Sequence, residues 1–321
     1  MGSRRAHGTA GRPGAGAPLL GVRSLFVRDW PHHSDRRRHG SGRRLVPIRV
    51  ATLRGDRVDQ PADQSLSGTN ATLEGRVALV VGASQGIGRA YAAALANAGA
   101  KVVGAARTIA GGDMLAMGCD VEREADVIRL IQQCIGNFGQ IDILVNVAAL
   151  YPRLDALSVT TDDWDRSMNV NVRGPYLVLR EALPHMIARG SGSVVNITSR
   201  SARYTERDHP AHRRLMVYAV TKAALDRLTT WFAEEMRPHG IAINALSPGG
   251  VLTDGWRREA PDDYAAAAKA GAKLPLPETV GPALVFLAHQ TAQTLTGQIL
   301  HTDEFGKTWP ETGRAFDGPR T

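Results

Sequence analysis

Short runs of apolar residues alternate along this chain with longer stretches of helical periodicity, starting near Leu73. The apolar runs are typical of strands buried on both faces, and they cover Val77–Val81, Lys101–Ala106, Ile141–Asn146, Ser193–Thr198, Ile241–Leu246 and Gln298–His301. The stretches between them predict helices over Arg89–Ala98, Glu122–Phe138, Thr161–Ile187, Met216–Arg237 and Val280–His289. Because this alternation produces parallel strands joined by helices, we expect an α/β fold with one doubly wound parallel sheet and helices on both faces.

One connection in this pattern is short. Only the 11 residues 108–118 separate Arg107 from Cys119. Within them, Met114–Met117 can supply a further short strand, which brings the sheet to about seven strands.

Charge divides the chain into a basic segment and a neutral one. Residues 1–70 hold 13 Arg, 5 Asp and neither Lys nor Glu, whereas the remainder carries 26 basic and 26 acidic side chains. No hydrophobic period persists in residues 1–70, and such a composition buries too little apolar area to offset the entropy of ordering. We predict a basic disordered N-terminal extension over 1–70, a single domain over 71–310 and a C-terminal tail over 311–321.

The extension has several possible roles. It is either a dispensable segment, such as an over-long start-site assignment, or an organelle transit peptide, or an arm that contacts nucleic acid or another anionic surface through its arginines. Because the predicted domain is neutral, nucleic acid is not an expected partner of the protein.

Composition excludes several other classes. The only two cysteines, Cys119 and Cys134, exclude a disulfide framework and a cysteine-based zinc site, and they indicate a reducing, cytoplasmic location. No run of about 18 apolar residues is present, so no membrane-spanning helix is expected. Asp208, His209 and His212 lie close together, but without a second cluster we expect them to face solvent and no metal to be bound.

A glycine-rich turn follows the first predicted strand. Its three glycines, Gly82, Gly86 and Gly88, stand between a buried strand and a helix. Glycine at such positions lets the backbone approach a ligand closely, and the helix N-terminus offers free N–H groups to a pyrophosphate. A turn that merely needs glycine would look similar, but the strand–turn–helix setting favours a Rossmann-like sheet that binds a dinucleotide.

Two further groups of residues suggest acid–base chemistry. Tyr218 and Lys222 are four residues apart in a predicted helix and therefore share one face. A nearby ammonium stabilises a phenolate, so the pair suits proton exchange at neutral pH. Ser199 ends a buried strand, at the edge of a parallel sheet where ligands bind. Each group alone also fits a structural role, the pair as a solvated helix face and the serine as a cap or turn residue.

With these residues placed, the chain resembles the short-chain dehydrogenase/reductase family in its single-domain form, from about Leu73 to Pro310. The matching segments are Gly82–Gly88, Cys119–Val121, Asn146–Ala149, Met168–Gly174, Ser199 with Tyr218 and Lys222, Ser247–Thr253 and Thr296–Leu300. The resemblance implies four catalytic residues, which are Asn171, Ser199, Tyr218 and Lys222. It also implies cofactor-binding residues, which are Gly82, Ser84, Gln85, Gly86, Ile87, Gly88, Arg107, Asp120, Val121, Asn146, Ala148, Tyr218, Lys222, Pro248, Gly249, Val251 and Thr253.

The activity implied by the resemblance is reversible hydride transfer between a nicotinamide and a small alcohol or ketone. Tyr218 would exchange the proton, Lys222 would lower the pKa of Tyr218 and bind the nicotinamide ribose, and Ser199 would hold the substrate oxygen. Asn171 would orient a water molecule through its main chain. Alternatives on the same scaffold are a 3-oxoacyl reductase, a cyclic diol dehydrogenase or a non-catalytic dinucleotide-binding protein. The resemblance further implies a homotetramer or homodimer formed through the helices over Thr161–Ile187 and Met216–Arg237.

The choice of dinucleotide depends on the end of the second predicted strand. A carboxylate there would accept hydrogen bonds from the adenosine ribose and favour NAD, but the residue is Ala106. Arg107 follows it and can pair with a 2′-phosphate, which favours NADP(H) over NAD(H), although a solvated loop arginine would look the same. Gln85 is neutral where some NADP-preferring members of the family carry a basic residue.

The chain departs from the family pattern in two segments. Residues 108–118 are fewer than the family usually has between the second strand and Cys119, so we expect the helix of this connection to be missing.

The second departure is the segment before Tyr218. Tyr218 follows Ser199 by 19 residues, a longer spacing than is usual in the family. The added segment contains five arginines, which are Arg200, Arg203, Arg207, Arg213 and Arg214. It predicts either a site for an anionic substrate or, more simply, a solvated charged loop.

Overall fold

The computed structural model describes residues 72–109, 114–203, 214–262, 264–265 and 274–309. Seven strands are present in this part of the chain: β1 (Val77–Val81), β2 (Lys101–Ala106), β3 (Leu115–Gly118), β4 (Ile143–Asn146), β5 (Gly192–Ile197), β6 (Ile241–Ser247) and β7 (Ile299–His301). The α-helices are α1 (Gly86–Asn97), α2 (Glu124–Phe138), α3 (Thr161–Met168), α4 (Gly174–Arg189), α5 (Met216–Met236), α6 (Asp254–Glu259) and α7 (Gly281–Ala288). The predicted extension over 1–70 and the tail over 311–321 lie outside the described residues.

The strands form one parallel sheet in the order β3-β2-β1-β4-β5-β6-β7. The chain builds outward from β1 to β3 on one side, and β4 then pairs with the other side of β1. The connection after β1 leads to β2 on one side of the sheet, and the connection after β4 leads to β5 on the other side. Because these two connections diverge, a crevice opens between them at the carboxyl ends of β1 and β4. The doubly wound parallel sheet predicted from the sequence is confirmed.

Apolar side chains cover both faces of the sheet. Along β1, Leu79 belongs to a core shared with α2 and α4, whereas Val80 belongs to a second core shared with α1 and α7. Side chains alternate between the faces of a strand, so a strand buried on both sides is apolar at every position. No described helix is long and apolar enough to cross a lipid bilayer.

The connection between β2 and β3 is as short as its sequence indicates. Of residues 107–114 the structure describes 107–109 and 114, and none of these is helical. A Cβ atom on Gly104 of β2 would collide with the Met114 side chain and lie 3.1 Å from Ile109 Cδ1. Ile109 and Met114 therefore cover the stretch of sheet that a crossover helix would otherwise protect.

The long helix predicted over residues 161–187 is interrupted in the structure. α3 and α4 are joined by a π-helical turn over Asn169–Arg173, and α4 continues to Arg189. A π turn holds one extra residue and usually has a local cause. The fully buried Asn171 lies in this turn, and its side chain bonds outside its own helix.

Asn171 joins three parts of the structure. Its Nδ2 donates to the Leu150 carbonyl at 2.8 Å and to Thr221 Oγ1 at 2.9 Å, while its Oδ1 accepts from the Leu150 N–H at 2.7 Å. Leu150 lies in the loop after β4, and Thr221 lies on α5. The amide therefore fixes this loop and α5 against the π turn.

Replacing Asn171 by Ala should lower the free energy of unfolding by about 2–3 kcal/mol, because it leaves the partly buried N–H and C=O of Leu150 without their partner and removes one of the hydrogen bonds of Thr221. Urea denaturation measures this change. Asn169→Ala is the matched control, since Asn169 lies in the same turn and its side chain makes no hydrogen bond within the described residues. Equal losses in the two variants would contradict this role for the Asn171 amide.

Candidate active site

A cleft of about 900 Å³ opens at the carboxyl edge of the sheet. Its walls come from the turn between β1 and α1, the segments after β2 to β6, and the first half of α6. The predicted site residues that line it are Gly82, Ser84, Gln85, Gly86, Ile87, Gly88, Arg107, Asp120, Val121, Ala148, Ser199, Tyr218, Lys222, Pro248, Gly249, Val251 and Thr253. Asn146 and Asn171 are not among the lining residues and lie buried.

The glycine turn packs its backbone directly on the neighbouring chain. Gly82 has φ +101°, and a Cβ atom there would collide with the backbone of Ala148 after β4. A Cβ atom on Gly88 would collide with the Gly82 carbonyl oxygen. These positions require glycine because the turn, α1 and the end of β4 are in contact.

The first turn of α1 suits a phosphate group. Gln85 is the N-cap residue, and its side chain makes no capping hydrogen bond. Helix N-termini leave backbone N–H groups unpaired and carry a partial positive charge, so anions bind there. Together with Arg107 at the end of β2, the residues present fit a nicotinamide dinucleotide with its pyrophosphate at α1 and its adenosine beyond β2.

Ser199 and Tyr218 meet at the other end of the cleft. Ser199 ends the segment after β5 and caps a short 3₁₀ turn, where its Oγ accepts from Ser201 N at 3.2 Å and from Ser201 Oγ at 2.9 Å. The Tyr218 hydroxyl, on the first turn of α5, lies beside Ser199, close enough to influence the pKa of the phenol. The two hydroxyls thus lie together where a substrate oxygen can contact both.

Lys222 lies one helical turn after Tyr218 and is only 2 % exposed. Its Nζ donates to the Ile197 carbonyl at 2.7 Å and lies 5.5 Å from the centre of the Tyr218 ring. Burial lowers the pKa of Lys222 to about 8, and the neighbouring carboxylate of Asp226 acts in the opposite direction. The ammonium is therefore present at neutral pH and is lost in mildly alkaline solution.

The phenol of Tyr218 is held in its protonated form. Burial raises its pKa above the ordinary value, Tyr151 acts in the same direction, and the hydrogen bond with Ser199 opposes them. The lowering of this pKa by Lys222, implied by the resemblance, stays a prediction.

Asn146 belongs to a buried row of amides and hydroxyls. Its Nδ2 donates to Asn196 Oδ1 at 2.8 Å, and Asn196 Nδ2 donates to Thr229 Oγ1 at 2.9 Å. The row crosses from β4 through β5 to α5, the helix of Tyr218 and Lys222. Asn146 therefore does not line the cleft and instead stabilises the strands behind its wall. Asn196 was not a predicted site residue, although its position near the end of a buried strand was a usable signal.

Tyr151 is a cleft residue that sequence reasoning missed. Its ring meets that of Tyr218 edge to face, with centres 4.6 Å apart and planes at 76°. Arg153 lies over the Tyr151 ring at 5.3 Å and donates from Nη2 to its hydroxyl at 3.2 Å. The available signal was its place five residues beyond β4, at the same sheet edge as the other site residues. Tyr151 forms the wall beside the proposed proton donor.

The arginines of the segment after Ser199 are paired where the structure describes them. Arg200 Nη2 lies 2.6 Å from Asp303 Oδ2, Arg214 Nε lies 3.4 Å from Asp155 Oδ1, and Arg203 Nε lies 3.9 Å from Asp226 Oδ2. Arg207 and Arg213 lie outside the described residues, as do Asp208, His209 and His212. The observed pairs favour the charged-loop interpretation over an anionic substrate. The described residues contain no group of three or more potential ligands placed for a metal ion.

Comparison with known proteins agrees with this geometry. A family model described as "Enoyl-(Acyl carrier protein) reductase" matches residues 82–304. The L-xylulose reductase of Mesocricetus auratus is 36% identical over 241 residues, which cover 72% of this chain and 96% of that protein.

Similar proteins have been solved with dinucleotides bound. One from Beutenbergia cavernae, provisionally described as an NAD(P)-dependent gluconate 5-dehydrogenase, holds NADP at low occupancy; it is 31% identical with a TM-score of 0.64, over 72% of this chain and 96% of that one. The 3-ketoacyl-(acyl-carrier-protein) reductase of Brucella melitensis, complexed with NADH, is 31% identical with a TM-score of 0.63, over 72% and 97% of the two chains. The present chain is therefore an oxidoreductase of the short-chain dehydrogenase/reductase family, with a nicotinamide dinucleotide as its cofactor.

Proposed function

We propose that this enzyme interconverts a small alcohol and its ketone with Tyr218 as the proton donor and acceptor. The observation that supports this most directly is that Ser199, Tyr218 and Lys222 line the same cleft, with Lys222 Nζ 5.5 Å from the centre of the Tyr218 ring. A carbonyl oxygen that accepts from both hydroxyls has a proton available at Tyr218 Oη. The protonated phenol is the form that carbonyl reduction requires.

Each residue of the group has a separate task in this proposal. Ser199 orients the substrate oxygen, and Tyr218 delivers the proton to it. Lys222 stabilises the phenolate that remains and has N–H donors for the nicotinamide ribose. Asn171 contributes through its main chain, since its side chain is already bonded to Leu150 and Thr221. When bound, the nicotinamide supplies or accepts the hydride.

NADP(H) is the dinucleotide that we propose for this site. β2 ends at Ala106, which offers no carboxylate to the ribose hydroxyls, and the adjacent Arg107 lines the cleft. A guanidinium can bind a 2′-phosphate through two parallel hydrogen bonds. The related structures were solved with NADP in one case and NADH in another, so the argument depends on the residues of this chain.

The substrate proposal is a small polyol or ketose. Tyr151 narrows the cleft beside Tyr218 and presents an aromatic wall with a polar rim, a surface suited to a compact hydroxylated molecule. The relatives include L-xylulose reductase, which agrees with this class. A carrier-linked 3-oxoacyl group, as in the name of the Brucella melitensis reductase, is the alternative substrate.

A homo-oligomer formed through α4 and α5 is also proposed. Tyr176 on α4 and Val220 and Trp231 on α5 are 38 %, 40 % and 56 % exposed, although all three are large and apolar. Exposed apolar side chains on neighbouring elements mark interaction surfaces. Both cysteines are free and buried, which supports the cytoplasmic location proposed for the enzyme.

Tyr218→Phe removes the proton donor but keeps the ring packed against Tyr151. We expect kcat for carbonyl reduction to fall by about 10²–10⁴-fold, because that is the usual contribution of a general acid. Dinucleotide affinity, measured by fluorescence titration, should stay within about twofold, since the hydroxyl is not a phosphate ligand. A variant that keeps most of its turnover would remove Tyr218 from the mechanism.

The pH dependence should follow Lys222. Its charged form exists below its pKa of about 8, so kcat/KM for reduction should be constant near neutral pH and decline as pH rises through about 8. The phenol stays protonated over this range because its pKa is raised. In Lys222→Arg the guanidinium keeps its charge, and the remaining activity should lose this decline. The same decline in both proteins would show that another group causes it.

Arg107→Ala should weaken NADPH binding by about 10- to 100-fold, because a charge-assisted hydrogen bond is worth about 1.5–3 kcal/mol. NADH affinity should change little, since NADH lacks the 2′-phosphate. Fluorescence titration of both dinucleotides gives the two Kd values. Arg129→Ala on α2 is the control, because Arg129 pairs with Asp126 and is not a cleft residue. Equal effects on NADPH and NADH would contradict the proposed contact.

A further inference from the structure

A hydrogen bond joins the two sides of the cleft entrance. Arg258 on α6 donates from Nη2 to Gln85 Oε1 at 3.0 Å, across 173 residues of sequence. Gln85 is the N-cap residue of α1, but its side chain does not cap that helix. The side chain accepts the hydrogen bond from Arg258 on α6 instead. The guanidinium of Arg258 consequently lies beside the helix N-terminus where the dinucleotide phosphates are expected.

The start of α6 is in contact with the glycine turn. Thr253 caps α6 by accepting from Trp256 N at 3.1 Å, and its methyl carbon lies 3.4 Å from where a Cβ atom of Gly86 would be. A Cβ atom on Gly255 would lie 3.7 Å from Gln85 Nε2. These contacts place the start of α6, and with it Arg258, beside the glycine turn.

The side chains around the first turn of α1 favour the binding of an anion. Gln85 is neutral, and the first turn of α1 contains no acidic residue. Arg258 is exposed, and apart from the bond to Gln85 its guanidinium has no partner within the described residues. A guanidinium presents five N–H donors in a planar fork, which matches the geometry of phosphate oxygens.

We propose that Arg258 is a phosphate-binding residue of the dinucleotide site, delivered to the cleft entrance by α6 and positioned there by the Gln85 amide. Arg258 contacts Gln85 of the glycine turn from the α6 side. Arg107 lines the cleft at the end of β2. A dinucleotide held with its phosphates at the first turn of α1 would have the Arg258 guanidinium beside them on the α6 side. This inference rests on the proposed dinucleotide site and adds a ligand to it.

The test compares Arg258→Gln with Arg257→Gln. Arg257 is the adjacent arginine on the same exposed helix, and its side chain makes no hydrogen bond or ion pair within the described residues. Both changes remove one positive charge, so the pair separates a specific contact from a general electrostatic effect. The Kd values for NADPH and NADH are measured by fluorescence titration of the full chain, and circular dichroism confirms that both variants fold.

We expect Arg258→Gln to weaken binding by about tenfold or more, as a lost charge-assisted hydrogen bond does, and Arg257→Gln to stay within about twofold. Loss for NADPH alone would identify the 2′-phosphate as the ligand, and equal loss for both dinucleotides would identify the pyrophosphate. Gln85→Ala should produce a smaller loss in the same direction, because it removes the group that positions Arg258.

Unchanged affinity of Arg258→Gln for both dinucleotides would overturn the inference while leaving the proposed function intact. Equal losses in the Arg258 and Arg257 variants would also overturn it, because they would show a general charge effect. If the unaltered protein bound neither dinucleotide, the proposed function and this inference would fail together.

Discussion

The seven strands run parallel and are buried on both faces, and this constraint decides where polar groups can be placed. Within the sheet, an unpaired polar side chain would lose its hydration without compensation. Polar residues therefore collect where strands end, and in a parallel sheet all carboxyl ends share one edge. The glycine turn, Ser199 and the segment after β6 meet at this edge although they are far apart in sequence. The cleft is a consequence of the sheet topology.

α5, the helix of Tyr218 and Lys222, is held against that edge by buried amides. Asn171 connects the loop after β4 with Thr221 on α5, and the row from Asn146 through Asn196 ends at Thr229 on the same helix. Since each hydrogen bond in a buried network is costly to leave unmade, these contacts allow α5 little freedom. Tyr218 and Lys222 lie on this helix, so the precision of the site depends on residues that do not line the cleft.

Burial also determines the charge states in the site. It keeps Tyr218 protonated and moves the pKa of Lys222 down to about 8, while Asp226 favours the charged form of the lysine. Asp226 is itself buried, and its own pKa is raised by that burial. The ammonium and this carboxylate lie one helical turn apart on the inner side of α5. A lysine with a pKa of about 8 is charged at neutral pH, but a small change in its surroundings is enough to remove its proton. Its protonation state is therefore sensitive to a charge that forms on a neighbouring group.

The doubly wound parallel sheet, the glycine turn and the placement of Tyr218 and Lys222 on one helix face could be predicted from the sequence, because each depends on local spacing and the parallel-sheet rule. The shortness of the connection between β2 and β3 was likewise visible in the sequence, and the described residues 107–109 and 114 are not helical. The π turn at Asn171, the Tyr151 wall and the contact between Arg258 and Gln85 could not be predicted, since each arises where segments distant in sequence pack together. The sequence by itself therefore determined which chemistry the chain contains and at which edge of the sheet it lies. Only the tertiary structure decided which side chains touch, because burial and contact between remote segments have no local signature.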